Sequence, residues 1–250
     1  MQFPFYLGPL HPHPLFEALG YAAAAGLYHR LRASRHDHLD ETARGWVIVA
    51  GVLGGALGSK LLYWLSDPGH ALADPAAMMG GKSVVGGLVG ALVAVEWTKR
   101  RLGVTRATGD LFVFPLILGI AIGRIGCFLT GLDDHTHGLP TALPWGVDFG
   151  DGPRHPTQLY EIAFLLVLGA VLARWRRPGE GDLFKAFMVA YLGFRLALEA
   201  IKPGIPILGL NAIQWVCLAA LAYYGGLLLA RARTRTVVRE PSPAQPAGET

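Results

Sequence analysis

The sequence is short of charged residues and nearly free of cysteine. Of its 250 residues, 16% are charged and two are cysteines, whereas 52% are hydrophobic, and the mean hydropathy is +0.38. Two cysteines exclude a dense disulfide framework, and the chain has no CxxC pair of the kind that holds a structural metal. A soluble domain of this length carries more charge. The composition therefore predicts a polytopic membrane protein.

Apolar segments divide the chain into pieces close to the roughly 20 residues that cross a bilayer. We predict an all-α integral membrane protein with seven transmembrane helices. They span roughly Pro14–Leu31, Gly45–Leu65, Ser83–Lys99, Asp110–Leu129, Thr157–Trp175, Leu183–Ile201 and Ala212–Leu229. Residues 1–231 then form one membrane domain, and the polar residues 232–250 are predicted to be a disordered cytoplasmic tail.

Positive charges cluster after every second predicted helix. The clusters contain Arg30, Arg32, Arg35 and Arg44; Lys99, Arg100, Arg101 and Arg106; Arg174, Arg176, Arg177 and Lys185; and Arg231, Arg233, Arg235 and Arg239. Because such charges favour the cytoplasmic side, we predict an N-terminus outside and a C-terminus in the cytoplasm. The first helix itself would serve as the insertion signal. The net charge of +4 then follows from topology, and no nucleic-acid partner is predicted.

Two arginines lie inside predicted spans. Arg124 occurs in GRIGCFLTG and Arg195 in YLGFRLALE, each roughly 10 Å below the outer surface at 1.5 Å per residue. A charge at the bilayer centre costs about 2.5–3.5 kcal/mol, so buried arginines usually face a cavity, a partner or a substrate. One guanidinium group can donate two parallel hydrogen bonds to two oxygens of the same phosphate, which favours a phospholipid headgroup as the ligand. The alternative is that the buried charges only pair to hold helices together.

Further polar residues are predicted in the same outer half. Tyr191, Arg195 and Glu199 share a helix face because they are four residues apart. The other members of this half are Glu17, Lys60 and Glu161, with Lys82 in an outer connection. The glycine-rich segments GVLGGALGS and GGKSVVGGLVG allow close approach of either a neighbouring helix or a ligand.

Four motifs occur in an order and spacing that resemble the prolipoprotein diacylglyceryl transferase family: GRIGCFLTG, LPWGVDF, PRHPTQLYE and YLGFRLALE. The resemblance covers roughly residues 80–202. It implies a seven-helix enzyme of the bacterial cytoplasmic (inner) membrane. Such an enzyme moves the diacylglyceryl group of phosphatidylglycerol to the lipobox cysteine of a preprolipoprotein and releases glycerol phosphate. The expected partners are therefore phosphatidylglycerol, a lipobox-containing preprolipoprotein and the surrounding membrane lipids, and no cofactor is expected.

The resemblance also implies roles for particular residues. Arg124 and Arg195 match arginines of the family's signatures, Tyr191 a tyrosine one turn before the second arginine, and Glu199 its acidic companion. We expect these four to be catalytic. The residues expected to bind substrate are Gly86 and Gly87, which match the glycine pair of the family's HGG motif, together with Lys82, Cys127 and Glu161.

The chain departs from the family on the thiol side of the chemistry. Val85 replaces the histidine before the glycine pair, and Cys127 replaces the signature asparagine. An aliphatic side chain takes no proton, so we predict His13 or His155 as the base; the alternative is that both are loop or capping residues. Cys127 is either a covalent nucleophile or, as buried cysteines more often are, a packing residue. The HPH and HTH pairs lack a matched third ligand, so no metal site is predicted.

Three functions remain open from the sequence. The first and favoured one is the phosphatidylglycerol-dependent transferase. The second is a noncatalytic lipid-binding protein, or a related transferase with another acceptor, which the loss of the family histidine supports. The third is a small-solute transporter, which is disfavoured because the buried charges do not continue into the cytoplasmic half and no inverted repeat is visible.

Overall fold

The structure, a computed structural model, describes residues 3–6, 10–34, 39–73, 80–175 and 179–237. Its helices are α1 (Pro12–Ser34), α2 (Glu41–Ser66), α3 (Pro68–Ala73), α4 (Val84–Arg101), α5 (Val113–Thr130), α6 (Thr157–Arg174), α7 (Asp182–Leu198) and α8 (Ala212–Val237). Single 3₁₀ turns precede α5 (Gly109–Phe112), follow it (Gly131–Asp134) and follow α7 (Glu199–Ile201). Strands β1 (Val147–Asp148) and β2 (Pro153–Arg154) pair as an antiparallel hairpin between α5 and α6.

Each of the seven predicted helices forms close to its predicted bounds. The short helix α3 and the β1–β2 hairpin were not predicted, because elements of six and two residues leave too little periodicity to detect. Helix α8 continues to Val237, so helical structure extends into the segment predicted as a tail from residue 232. The remainder of that tail, residues 238–250, lies outside the described residues.

Within the described residues, three helical segments are long and apolar enough to cross a membrane: Glu41–Ser66, Gly109–Asp134 and Thr157–Arg174. Their outward faces are apolar. Leu53 and Leu57 on α2 and Val167 on α6 are each at least 60% exposed, as expected for side chains that meet lipid tails. The structure therefore supports a helical membrane protein, and the other four predicted spans and the direction of insertion stay predictions.

Glycines bring two helix pairs into close contact. A Cβ atom on Gly58 of α2 would lie 2.8 Å from the Cα atom of Gly90 on α4, and one on Gly20 of α1 would lie 2.8 Å from the carbonyl oxygen of Gly119 on α5. Real Cβ contacts are longer, so these positions require glycine. The glycine segments therefore serve helix packing, the first of the two predicted alternatives.

The apolar core lies between α4, α5, α6, α7 and α8. Its fully buried side chains include Val85, Val113, Leu165, Phe187 and Tyr191. This core fixes α5, α6 and α7 side by side, with α5 ending where α6 begins. We call this end of the bundle, at which α1, α4, α6 and α8 begin and α2, α5 and α7 end, the site end. The predicted polar residues lie there.

Candidate functional site

A single buried carboxylate organises the site end. Glu161, one turn into α6, is 2% exposed at its side chain. Its Oε2 atom accepts a hydrogen bond from Nη1 of Arg195 at 2.8 Å and lies 2.9 Å from Nε of Arg124. Its Oε1 atom accepts from the Tyr191 hydroxyl at 2.6 Å. Both predicted arginines and the predicted tyrosine therefore converge on one predicted glutamate.

Both arginines keep donor capacity that these contacts do not use. Nε of Arg195 is buried without a hydrogen-bond partner among the described residues. Nε of Arg124 has no aligned hydrogen bond within the described ranges either, although it lies 2.9 Å from Oε2 of Glu161; we regard that contact as an ion pair. Buried donors are rarely left unpaired, and an anionic ligand would satisfy them.

A second carboxylate anchors Arg195 from the other side. Glu199 accepts a hydrogen bond from Nη2 of Arg195 and, at its other oxygen, one from the Asn211 amide at 3.1 Å. Nζ of Lys202 lies 4.0 Å from the same carboxylate. Burial and the nearby Arg195 lower the pKa of the Lys202 ammonium to about 8, against the attraction of Glu199. Lys202 therefore adds a third cation to this group, and its charge depends on pH.

The start of α8 holds Asn211 in place. The Asn211 side-chain oxygen accepts from the backbone N–H of Gln214 at 2.8 Å, and the Gln214 side chain accepts from the backbone N–H of Asn211 at 2.9 Å. This is a reciprocal capping arrangement that satisfies two free donors of the first turn. It leaves the Asn211 amide N–H group free to donate to Glu199.

A second polar cluster lies beside Arg124. Nδ1 of His13, at the start of α1, is 2.5 Å from Oδ1 of Asp134. Nη1 of Arg124 donates to Sγ of Cys127 at 3.7 Å. Ligand atoms of His13, Cys127 and Asp134 all lie within 4.8 Å of one another. We call these three residues the thiol cluster.

The thiol cluster has the donor types of a metal site, but its surroundings favour a thiol–imidazole pair. A nitrogen, a thiol and a carboxylate are ligands that zinc accepts. However, the Arg124 guanidinium already donates to the thiol, and a second cation there would be repelled. The His13–Asp134 contact is also a hydrogen-bond distance, shorter than two ligands of one tetrahedral ion would show.

Hydrogen bonds connect the thiol cluster to α6. Thr136 donates to Asp134 and accepts from Nε2 of Gln158 at 3.0 Å. Thr157 donates to the Thr136 carbonyl. Thr157 and Gln158 form the first turn of α6, the turn before Glu161. The loop after α5 is thereby fixed to the helix that bears the central carboxylate.

The helix α1 extends this polar face away from Asp134. Lys82 donates to both oxygens of Glu17, at 2.5 and 2.6 Å, and Tyr21 donates to Glu17 at 2.8 Å. Nε2 of His13 is 3.9 Å from Glu17. Lys82 precedes α4, so this ion pair connects the α1–α5 pair to the α2–α4 pair. The predicted substrate role of Lys82 remains a prediction.

The second predicted base, His155, lies in a different environment. Nδ1 of His155 is 3.2 Å from the Tyr160 hydroxyl, which also accepts from the Trp145 indole at 2.8 Å. Trp145 is 57% exposed. Within the described part of the chain, the His155 side chain therefore bonds to the partly buried Tyr160 beside the exposed Trp145, and not to Glu161. Of the two histidines, His13 is the one beside an arginine of the site.

The residues around the missing histidine pack against α2. Val85 is fully buried in the apolar core. A Cβ atom on Gly86 would collide with the backbone of Gly58, and one on Gly87 would meet Gly55 at 3.6 Å. Ser83 caps the helix by accepting from the Gly86 N–H. Helix packing therefore requires glycine at position 86, whereas 3.6 Å is an ordinary contact distance that would admit a side chain at position 87. The contact of both glycines with substrate stays a prediction.

Sequence reasoning named the two arginines, Tyr191, Glu161, Glu199, His13 and Cys127, and the structure brings all of them to the site end. Four polar residues of the site end were not among the predicted site residues: Asp134, Gln158, Lys202 and Asn211. Only Asn211 carried a signal, the Asn-x-x-Gln pattern of a capping box before an apolar helix.

Comparisons with known proteins agree with the motifs. The sequence model of the family described as prolipoprotein diacylglyceryl transferase matches residues 3–230. A phosphatidylglycerol–prolipoprotein diacylglyceryl transferase of Bordetella bronchiseptica is 34% identical in an alignment that covers 91% of this chain and 94% of the relative. A relative of the same name from Coxiella burnetii is 35% identical over 85% of this chain and 85% of the relative. Another, from Nitratidesulfovibrio vulgaris, is 39% identical over 68% of this chain and 66% of the relative. With the family model covering most of its length, the chain belongs to the prolipoprotein diacylglyceryl transferase family.

Proposed function

We propose that the protein transfers the diacylglyceryl group of phosphatidylglycerol to a cysteine thiol of a preprolipoprotein and releases glycerol phosphate. The observation that carries this proposal is the convergence of Arg124 and Arg195 on Glu161, with donor capacity on both guanidinium groups left unused among the described residues. The family and the names of the relatives supply the reaction.

The charge of the site suits an anionic headgroup. Among the described residues, Arg124, Arg195 and Lys202 face the carboxylates of Glu161 and Glu199, so one positive charge is left over while Lys202 is protonated. One phosphodiester would neutralise it. Since a buried ion pair contributes little net stability by itself, a ligand is the stronger reason for so much buried charge.

The arginines would act on the leaving group. The acceptor sulfur attacks the glyceryl carbon that bears the phosphate, the C–O bond breaks, and the phosphate gains negative charge. Donors already fixed by Glu161 and Glu199 stabilise that charge without reorganising, and in many enzymes such stabilisation accounts for more of the rate enhancement than any other effect. Tyr191 holds the other oxygen of Glu161 and so positions the carboxylate.

The acceptor thiol requires a base, because the thiolate is the nucleophile. His13 is placed for this role, since Asp134 binds its Nδ1 atom and thereby orients the ring. The bond to Asp134 also raises the pKa of His13 to about 10, so the neutral imidazole that accepts a proton becomes more abundant as the pH rises toward that value. His13 also lies next to the thiol of Cys127, which stands beside Arg124. An acceptor thiol near His13 would therefore be close to the arginine that holds the phosphate.

We place the protein in a bacterial cytoplasmic membrane as a multi-pass protein with seven spans and the site end outward. The three candidate spans and the family support a membrane enzyme. The positive charges on the connections at the opposite end support this direction. Donor lipid and the lipobox peptide would then meet in the outer half of the bilayer.

The test is transfer of a labelled diacylglyceryl group from phosphatidylglycerol to a lipobox peptide by the purified protein. Wild type is expected to transfer, and Arg124→Ala and Arg195→Ala to lose at least about a hundredfold in rate, as removal of a preorganised donor commonly does. Arg101→Ala is the matched control, because Arg101 is exposed over Trp97 at the far end of α4. No transfer by folded wild type would overturn the proposal and favour lipid binding or another acceptor.

A further inference from the structure

The thiol cluster combines three groups that activate sulfur nucleophiles elsewhere in proteins. Cys127 supplies the thiol, His13 an imidazole, and Asp134 a carboxylate bound to Nδ1 of that imidazole at 2.5 Å. One ring nitrogen of His13, Sγ of Cys127 and one carboxylate oxygen of Asp134 lie within 4.8 Å of one another. A thiol, a base and a group that orients the base are the arrangement that recurs in cysteine-dependent acyl transfer.

The position of Arg124 adds a fourth element. Its Nη1 donates to Sγ of Cys127 at 3.7 Å, so the sulfur lies against a fixed positive charge. The same guanidinium is part of the pair that would hold the donor phosphate. Cys127 thus lies next to the place where an electrophilic carbon would be presented.

We propose that Cys127, His13 and Asp134 form a reactive thiol site, at which the Cys127 sulfur takes a carbon electrophile. With the donor lipid bound, that electrophile is the glyceryl carbon: the S–C bond forms as the C–O bond to phosphate breaks, glycerol phosphate leaves, and the thiol proton passes to His13. The product is a thioether on the protein itself. This part rests on the proposed function, and in it Cys127 competes with the acceptor thiol for the same donor and the same base.

The first experiment does not depend on the lipid reaction. The purified full-length protein in detergent is treated with limiting iodoacetamide, whose carbon forms an S–C bond as iodide leaves, and each cysteine is followed by peptide mass spectrometry. Cys217 is the internal control, since it lies on α8 and is fully buried in the apolar core of the bundle. We expect Cys127 to react about tenfold faster than Cys217, and His13→Gln and Asp134→Asn to remove most of that difference.

Three results of this experiment would overturn the proposal. One is equal alkylation of the two cysteines in a folded protein. Another is rapid alkylation of Cys127 that persists unchanged in His13→Gln, since exposure alone would then explain it. The third is stoichiometric zinc that protects Cys127 until a chelator removes it, because the cluster would then be a metal site.

The second experiment supplies phosphatidylglycerol without any acceptor peptide. We expect about one equivalent of glycerol phosphate and a diacylglyceryl adduct on Cys127, both absent in Cys127→Ala and both present in Cys217→Ala. Transfer to a lipobox peptide with no adduct on Cys127 would contradict the internal reaction while leaving the proposed function intact. Absence of both reactions would count against the proposed function, and iodoacetamide labelling would still decide whether the thiol site exists.

Discussion

At the scale of single residues, the site depends on the carboxylate of Glu161. It is buried between Arg124 and Arg195 and accepts a hydrogen bond from the Tyr191 hydroxyl. Removing one member of a buried ion pair leaves an uncompensated charge, which is far more costly than removing an exposed one. The arrangement therefore makes Glu161 a structural residue of the site end, and it supports the proposed role of Glu161 in the substrate site.

Glu161→Gln should lower the free energy of unfolding by about 3 kcal/mol, because two buried guanidinium groups lose their shared counter-ion. Denaturant titration in detergent micelles measures the change. Asp151→Asn is the matched control: it also removes a carboxylate from an arginine, but the Asp151–Arg154 pair lies in the exposed hairpin, where solvent screens the charges and little or no loss of stability is expected. Equal losses for the two variants would argue against the central position of Glu161.

Lys202 makes the charge of the site depend on pH. This lysine follows the sixth predicted span. Burial, Arg195 and Arg124 lower its pKa to about 8, although the carboxylates of Glu199 and Glu161 act in the opposite direction. Because its pKa is lowered in the folded state, Lys202 loses its proton at a lower pH in the folded protein than in the unfolded chain. Stability attributable to Lys202 therefore rises as pH increases from about 8 toward the ordinary lysine value, whereas the positive charge available to an anion falls.

Binding of short-chain phosphatidylglycerol should weaken about fivefold between about pH 7 and about pH 9, as the site loses one positive charge worth about 1 kcal/mol at its distance from the phosphate. Equilibrium binding in detergent measures this effect. Lys202→Met should bind weakly at both pH values, and Lys202→Arg tightly at both. A wild-type pH profile that Lys202→Met reproduces would show that another group titrates.

Much of this residue-level site was readable from the sequence, for a definite physical reason. A charge in an apolar run is conspicuous, so Arg124, Arg195 and Glu199 stand out. Polar residues at helix ends are ordinary, so Lys202 and Gln158 do not. The pairing of His13 with Asp134 joins distant parts of the chain, and only tertiary packing of α1 against α5 reveals it.

At the scale of helices, the glycines of α2 and α4 decide how closely the two helices approach. Gly58→Ala should destabilise the protein by about 1–3 kcal/mol, because its new Cβ atom would lie 2.8 Å from the Cα atom of Gly90. Gly45→Ala in the same helix is the control, since a Cβ atom there has no neighbour within 4 Å among the described residues, and it should be neutral or slightly stabilising. Denaturant titration of both variants measures the difference, and a neutral Gly58→Ala would contradict the packing role.

Helix bounds were predictable where the composition changes abruptly. Apolar length marked the long helices, and Pro, Gly and charged residues marked their ends. The stripe Tyr191, Arg195 and Glu199 was predicted as a run of neighbours. Arg195 does donate to Glu199, although α7 ends at Leu198, and Glu161 of α6 joins Tyr191 to Arg195. The spacing of residues within one helix predicts which side chains share a face. It does not predict that a carboxylate from another helix, Glu161, binds them.

At the scale of the whole molecule, the fold separates two kinds of charge. Among the described residues, most of the buried charge lies in ion pairs at the site end, whereas the basic clusters of the sequence fall on the connections predicted at the opposite end. Transmembrane helices orient by those basic connections. The chemistry and the direction of insertion therefore depend on different residues, and they can be tested separately.

The direction of insertion predicts which connections meet the outside. In a background with both native cysteines replaced, Ala142→Cys lies in the exposed connection between α5 and α6, and Thr105→Cys lies in the exposed connection between α4 and α5. A membrane-impermeant maleimide added to intact cells that lack an outer-membrane barrier should label Ala142→Cys and spare Thr105→Cys until the membrane is opened. The reverse pattern would put the site end in the cytoplasm, where the positive-inside rule does not place it. Labelling of both from outside would mean that the segment Gly109–Asp134, the most apolar of the three candidate spans, does not cross the bilayer.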